Sequence, residues 1–153
     1  MRLLLSAVLT FCLTAVSKDR CNCPQAPPGE STHWGGNMGV VFKETATYEA
    51  VRGVVLIGDD PASDVLIEIF NEPDYLLFGY PKHQELQKRQ RRIAACKTGD
   101  DGRFCFPNVS KGKYEIRASI DSGFDVTHVW VQIDPQSSRA KKADIKVPIW
   151  AGT

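Results

Sequence analysis

The stretch that decides the fold is CKTGDDGRFCFP at residues 96–107, which is followed by GKYEIRA at residues 112–118. Apolar and polar residues alternate after each of the two glycine-containing turns, so Phe104 and Phe106 share one face of an extended chain. Period-two alternation around glycine turns is typical of antiparallel strands with one buried face. The stretch therefore predicts an antiparallel meander, which is the framework of a structural or binding module.

Similar alternation recurs along the chain. Residues 18–44, rich in proline and glycine toward their beginning, are predicted to form an irregular N-terminal arm. Beyond them, the pattern predicts seven short strands near residues 45–57, 65–70, 93–98, 103–106, 112–120, 124–133 and 143–150. Many short strands separated by turn residues favour an all-β sandwich, here a single domain over residues 45–150.

Residues 72–92 interrupt this pattern. An apolar and aromatic run at 75–81 precedes a polar run at 82–93, in which only Leu86 and Ile93 are apolar. Such a thin apolar stripe predicts a short, mostly solvated helix. Because the entropy of loop closure rises slowly with loop length, we expect this insert to be an addition to the sandwich.

The N-terminus has the features of an export sequence. A positive start at Met1-Arg2 precedes apolar residues 3–16 and the small-residue end Ala15-Val16-Ser17. This order is typical of a secretory signal peptide over residues 1–17, and the apolar run is shorter than the roughly 20 residues of a membrane-spanning helix. We therefore expect a secreted or periplasmic protein. Its formal net charge of +1 argues against a general attraction to nucleic acid.

The cysteines indicate disulfides. Cys12 lies in the predicted signal peptide, and an even number in an exported chain, Cys21, Cys23, Cys96 and Cys105, allows three pairings. A turn symmetric about residues 100–101 places Cys96 opposite Cys105 and predicts a disulfide between them. A three-residue loop with left-handed Gly102 instead places the two sulfurs on opposite faces, and Cys21 and Cys23 become the partners.

The chain resembles the carboxypeptidase regulatory-like domain family over roughly residues 47–120. The residues that carry this resemblance are Gly53-Val54-Val55, Pro61 with Val65 and Ile67, Asp101-Gly102-x-Phe104-x-Phe106, and Gly112-x-Tyr114-x-Ile116-x-Ala118. The resemblance implies a seven-stranded transthyretin-like β-sandwich, also described as a carbohydrate-binding-like fold. It further implies an extracytoplasmic, non-catalytic module. The insert at 72–92 and the cysteines depart from the family pattern.

Residues for catalysis or metal binding are sparse. His83 and His128 are interpreted as strand-surface or solvated residues, and no helical zinc-hydrolase motif occurs. Cys21 and Cys23 with His33 offer ligands for copper or zinc. The alternative to a binding module is a small metal-binding or hydrolytic exported protein. The aspartate pairs at 59–60 and 100–101 are interpreted as turn residues rather than calcium ligands.

We therefore predict no enzyme, no bound metal and no cofactor. The partner is expected to be a protein or a carbohydrate. The predicted partner surface combines aromatic and basic side chains of the arm and the insert: Trp34, Tyr75, Phe78, Tyr80, Arg89 and Arg92.

Overall fold

The computed structural model describes residue 23 and residues 25–26, 40–71, 90–120 and 126–149. This part of the chain is entirely β-structure and turns. Its strands are β1 (Gln25–Ala26), β2 (Val40–Tyr48), β3 (Val51–Ile57), β4 (Asp60–Pro61), β5 (Leu66–Phe70), β6 (Arg92–Lys97), β7 (Arg103–Phe106), β8 (Gly112–Ser119), β9 (Val126–Ile133) and β10 (Ile145–Ile149). Within these residues, no helix is long and apolar enough to cross a bilayer.

The strands form two mixed sheets. The larger has six strands in the order β1-β6-β5-β8-β9-β2, in which only the pairing of β2 with β9 is parallel. In the smaller, β3 pairs in parallel with β10 on one side and antiparallel with β4 and β7 on the other. The all-β class is confirmed. The described part holds ten strands where seven were predicted.

The core lies between the inner faces of the two sheets. Ile67, Ile116 and Val129 come from the six-stranded sheet, and Val55 and Val147 come from the four-stranded sheet; all five are buried in one cluster. They follow the period-two alternation because successive side chains of a strand point to opposite faces. The alternation seen in the sequence thus identifies the buried face of β5 and β8 correctly.

The turn at residues 99–102 connects the two sheets. β6 pairs with β1 and β5, whereas β7 pairs with β3, so the predicted meander across this turn is wrong. Gly102 has a φ of +65° and its amide donates to the carbonyl of Gly99 at 2.9 Å. Alternation of apolar and polar residues predicts that one face of a strand is buried. It does not predict which sheet that strand joins. Phe104 and Phe106 therefore pack into the core from the sheet opposite to that of β6.

The disulfide pattern follows from the placement of β6 and β7 in different sheets. Cys96 is bonded to Cys23, with 5.6 Å between the Cα atoms, so the predicted Cys96–Cys105 disulfide is wrong. Cys105 lies on β7 opposite Arg52, in the other sheet, and is itself disulfide-bonded. The alternative with a left-handed Gly102, which made Cys21 and Cys23 the partners, is the one that agrees with Cys23–Cys96.

Two boundaries also differ from the sequence prediction. β1 and the first part of β2 fall within residues 18–44, which were predicted to be irregular. The region 45–57 was predicted as one stretch of β-structure, but a bend at residues 49–50 divides it between the two sheets. β2 forms because Val40, Val41 and Phe42 pair in parallel with β9, a contact distant in sequence. The predicted helix at 82–93 lies mostly outside the described residues, and its end, Arg92 and Ile93, belongs to β6.

Gly53 is required by close packing between strands. A Cβ atom at this position would lie 2.2 Å from the carbonyl oxygen of Ile145 and 2.5 Å from Cζ of Phe104. We expect Gly53→Ala to lower the free energy of unfolding by about 2–3 kcal/mol, because overpacking forces neighbouring backbone to move. The control is Gly99→Ala, whose Cβ would have its nearest neighbour at 3.8 Å. Equal effects of the two substitutions in urea denaturation would contradict this account.

The Cys23–Cys96 disulfide closes a loop with a sequence separation of 73 residues. On the chain-entropy account, its removal in a Cys23→Ala/Cys96→Ala variant should cost about 4 kcal/mol of stability. Cys105 should be found linked to Cys21, the cysteine that remains if Cys12 leaves with the signal peptide. Non-reducing peptide mapping checks both pairs, and a peptide that links Cys96 to Cys105 would contradict the topology.

Candidate functional site

The outer face of the six-stranded sheet carries charged side chains that are buried. On β8, Tyr114, Ile116 and Ala118 point to the core, so the intervening Glu115 and Arg117 point away from it. Yet Glu115 is 0% exposed and Arg117 is 6% exposed. Buried charges are costly unless they are paired and hydrogen-bonded, so this face must supply their partners.

Strand register brings these partners together. Glu115 lies opposite Phe70 of β5 and Trp130 of β9, and Arg117 lies opposite Glu68 of β5 and His128 of β9. Gln90 lies two residues before the first residue of β6, and its side chain contacts Glu115. We call Gln90, Glu115, Arg117 and His128 the Glu115 cluster. All four residues are buried.

The Glu115 carboxylate is the centre of this cluster. Its Oε1 accepts hydrogen bonds from Nε of Arg117 and from Nδ1 of His128, each at 2.6 Å. Its Oε2 accepts a hydrogen bond from Nε2 of Gln90 at 2.8 Å. The guanidinium of Arg117 also donates to Oε1 of Gln90 and lies 4.1 Å from the ring centre of Phe70. Charge-assisted bonds and a cation–π contact thus surround both ions.

These contacts control the ionisation of Glu115. Burial by itself raises the pKa of a carboxyl, but the hydrogen bond from His128 and the charge of Arg117 outweigh it and lower the pKa of Glu115 from 4.5 to about 2. The carboxyl is therefore ionised at neutral pH. An ionised carboxylate only accepts hydrogen bonds, so Nδ1 of His128 carries the proton.

The pair Glu68–Arg92 continues the charged face toward β6. Nη1 of Arg92 donates to Oε1 of Glu68 at 3.1 Å, and the two side chains are 18% and 2% exposed. The backbone amide of Asn71 donates to the carbonyl of Arg91 at 3.3 Å, and the amide of Arg91 donates to Oδ1 of Asn71 at 2.9 Å. Asn71 and Arg91, described residues on either side of segment 72–89, are thus held together where β5 pairs with β6.

Chemically, this arrangement is suited to holding strands together. A carboxylate that stays ionised to about pH 2 is a poor general acid or base near neutrality, where a matched pKa is needed. A buried network of hydrogen-bonded charged groups instead rigidifies the elements that supply it. The Glu115 cluster connects β8 to β9 and to Gln90, and the Glu68–Arg92 pair connects β5 to β6.

The predicted partner surface is described only at Arg92. That side chain lies in β6 and is engaged with Glu68. The other predicted surface residues lie outside the described residues: Trp34, Tyr75, Phe78, Tyr80 and Arg89. His33, His83 and Cys21, which were considered as solvated residues or metal ligands, also lie outside them.

His128 and the aspartate turns can be assessed directly. His128 does lie in a strand and faces away from the core, but it is 8% exposed rather than at the surface. Asp101 Oδ1 accepts a hydrogen bond from the backbone amide of Arg103 at 3.0 Å, as expected of a turn aspartate. In the described part of the chain, no group of three or more His, Cys, Asp and Glu residues is placed to hold a metal ion.

Comparison with protein-family models and with curated proteins finds no match to this chain.

Sequence reasoning missed Glu115, Arg117 and Gln90. For the first two a pattern was present, because KYEIRA places opposite charges two residues apart on one face of a predicted strand. Their burial could not be read from it, since an alternating strand normally turns its polar face to water. Gln90 gives no pattern at all; it reaches the cluster because β6 begins two residues later.

The Glu115 cluster predicts a specific dependence of stability on pH. Because folding lowers the pKa of Glu115 from 4.5 to about 2, its contribution is complete above pH 4.5 and is lost as the pH falls to about 2. We expect Glu115→Gln to reduce the free energy of unfolding by about 3 kcal/mol at pH 6, and the difference from the parent chain to shrink toward pH 2.

Urea denaturation at a series of pH values makes this measurement. The control is Asp64→Asn, which removes an exposed ion pair with Lys97 and should change stability by less than about 1 kcal/mol at every pH. A Glu115→Gln effect that is independent of pH would show that the carboxylate is not held ionised in the folded state.

Proposed function

We propose that the chain is an exported, disulfide-bonded module that binds a partner or supports an assembly and does not catalyse a reaction. The observation that carries this proposal is the Cys23–Cys96 disulfide, which ties the N-terminal segment to a two-sheet β-fold. Disulfides persist in oxidising compartments outside the cytosol. The signal-peptide pattern of residues 1–17 supports the same location.

We further propose the carboxypeptidase regulatory-like, transthyretin-like form of this fold. In this proposal, the family's seven-stranded sandwich would consist of β3, β5, β6, β7, β8, β9 and β10, although the first predicted strand, 45–57, also covers the end of β2. β1, β2 and β4 would then be additions of this chain. The motif residues Phe104, Phe106, Tyr114, Ile116 and Ala118 are all buried in the core, which supports a shared way of packing.

A binding role is supported by how the sheet is built. Binding residues are commonly carried by loops on a rigid scaffold. The Glu115 cluster and the Asn71–Arg91 hydrogen bonds fix the strand ends from which segment 72–89 departs. The aromatic and basic residues predicted in that segment remain our candidate for a surface that contacts a protein or a carbohydrate.

Export of the full chain tests this proposal. Expressed with its own N-terminus, the protein should be recovered from the secreted or periplasmic fraction, begin at Lys18 by N-terminal sequencing, and contain no free thiol by thiol titration. A matched Cys23→Ala variant should be exported with one free thiol, because Cys96 loses its partner. Recovery of intact Met1 in a membrane fraction, or free thiols in the exported parent chain, would overturn the proposal.

A further inference from the structure

The outer face of the four-stranded sheet carries a concentration of positive charge. β3 presents Arg52 and Val54 outward, β7 presents Arg103, and β10 presents Lys146, because their neighbours in each strand point to the core. Lys142 precedes β10 and is also exposed. We call Arg52, Arg103, Lys142 and Lys146 the basic face.

Asp144 balances only part of this charge. Its Oδ2 lies 2.7 Å from Nη1 of Arg103, and its Oδ1 lies 3.8 Å from Nε of Arg52. The described residues 52–54, 103–105 and 142–148 contain four cations and this one carboxylate. The side chains of Arg103 and Arg52 are 60% and 40% exposed, so both present surface to solvent beside Asp144. Nη2 of Arg52 also donates a hydrogen bond to the carbonyl of Lys142 at 2.6 Å, so Arg103 is the more available of the two.

The register places three of the four cations around Val54. Val54 pairs with Lys146 on one side and with Arg103 on the other, so these two cations stand on either side of it, about 10 Å apart at ordinary strand spacing. Arg52 lies two residues along the same strand, about 7 Å from Val54. Cations separated across neighbouring strands are complementary to an extended polymer that repeats its negative groups.

We propose that the basic face binds an acidic polysaccharide through its sulfate or carboxylate groups. This inference rests on the proposed function as an exported binding module, and it names the class of partner. Arginine suits both groups because its planar guanidinium pairs with sulfate-like or carboxylate oxygens through two parallel hydrogen bonds. Lys142 and Lys146 add positive charge, but a lysine ammonium does not impose the planar two-bond geometry of arginine.

An acidic peptide added to the sheet as a strand is disfavoured by Pro148. The amide of Val55 donates to Gly102 and its carbonyl accepts from Ala62, so the backbone groups of Val54 and Leu56 point to β10. In a parallel ladder, a residue forms its backbone hydrogen bonds with the two neighbours of its partner, so Leu56 bonds to residues 147 and 149. The backbone of Pro148 itself therefore points to the open edge of the sheet. Proline has no amide hydrogen to offer there, and proline on an edge strand hinders strand addition.

An anionic membrane is the other class of partner that a basic surface can take. Strong negative surface potential belongs to the cytoplasmic leaflet, to which an exported protein has no access. The apolar residues between the cations, Val54 and Leu56, are half-buried and so offer little area for insertion. An acidic polysaccharide outside the cell therefore agrees best with the exposed cations, the small apolar area between them and the proline on the edge strand.

Affinity measurements on the exported, disulfide-bonded chain test this proposal. The probes are heparin for sulfate groups and polygalacturonate for carboxylate groups, each at physiological salt. We expect binding to at least one of them, and an Arg103→Ala/Lys146→Ala variant should bind it about tenfold more weakly. The control, Lys113→Ala/Arg139→Ala, removes the same charge at two exposed positions elsewhere and should stay within about twofold.

A second pair of variants predicts the opposite change. Asp144→Asn removes the negative charge beside Arg103 and Arg52 and should tighten binding. Asp64→Asn removes an exposed ion pair with Lys97 outside the face and should leave binding unchanged. Circular dichroism shows whether each variant is folded. Together, the two pairs of variants distinguish binding at the basic face from a general effect of the protein's net charge.

Several results would overturn the proposal. These are no binding to either polysaccharide, equal weakening in both double variants, or binding only to polyglutamate or to anionic phosphatidylserine vesicles. Failure here is distinct from failure of the proposed function. A chain that is exported and fully oxidised but binds neither polysaccharide overturns the basic face alone.

Discussion

The structure depends on one constraint, which is that the carboxylate of Glu115 is buried and ionised on the outer face of a sheet. A charge in that position destabilises the fold unless donors surround it. Arg117, His128 and Gln90 supply these donors from β8, from β9 and from the residues that precede β6. The cluster therefore fixes neighbouring strands relative to each other, because hydrogen bonds have a preferred direction and apolar packing does not.

The disulfide and the charged face act on the same sheet in complementary ways. Cys23–Cys96 joins the N-terminal segment to β6, where β1 also pairs. Glu68–Arg92 joins β6 to β5, and the Glu115 cluster continues across β8 and β9. The six-stranded sheet is thus held by covalent and ionic links, whereas the four-stranded sheet leaves its basic face accessible.

Much of the fold could be predicted from local alternation, and the rest could not because it depends on distant contacts. Phe104, Phe106, Tyr114 and Ile116 were correctly assigned to a buried face, since alternation reports burial. The sheet to which β7 belongs was not predictable, because alternation is the same for either neighbour. The Cys23–Cys96 pair follows from that choice of sheet, and the cluster around Glu115 follows from burial of a face that normally contacts water.

The central claim is that Glu115 is held ionised by its three partners, and the most direct test measures its ionisation. In a titration followed by carbon-13 NMR of the Glu115 side-chain carboxyl, the folded protein should show no change from pH 7 to pH 4. A transition should begin only as the pH approaches about 2. A midpoint at or above 4.5 would contradict the account, since it would mean that desolvation prevails over the donors.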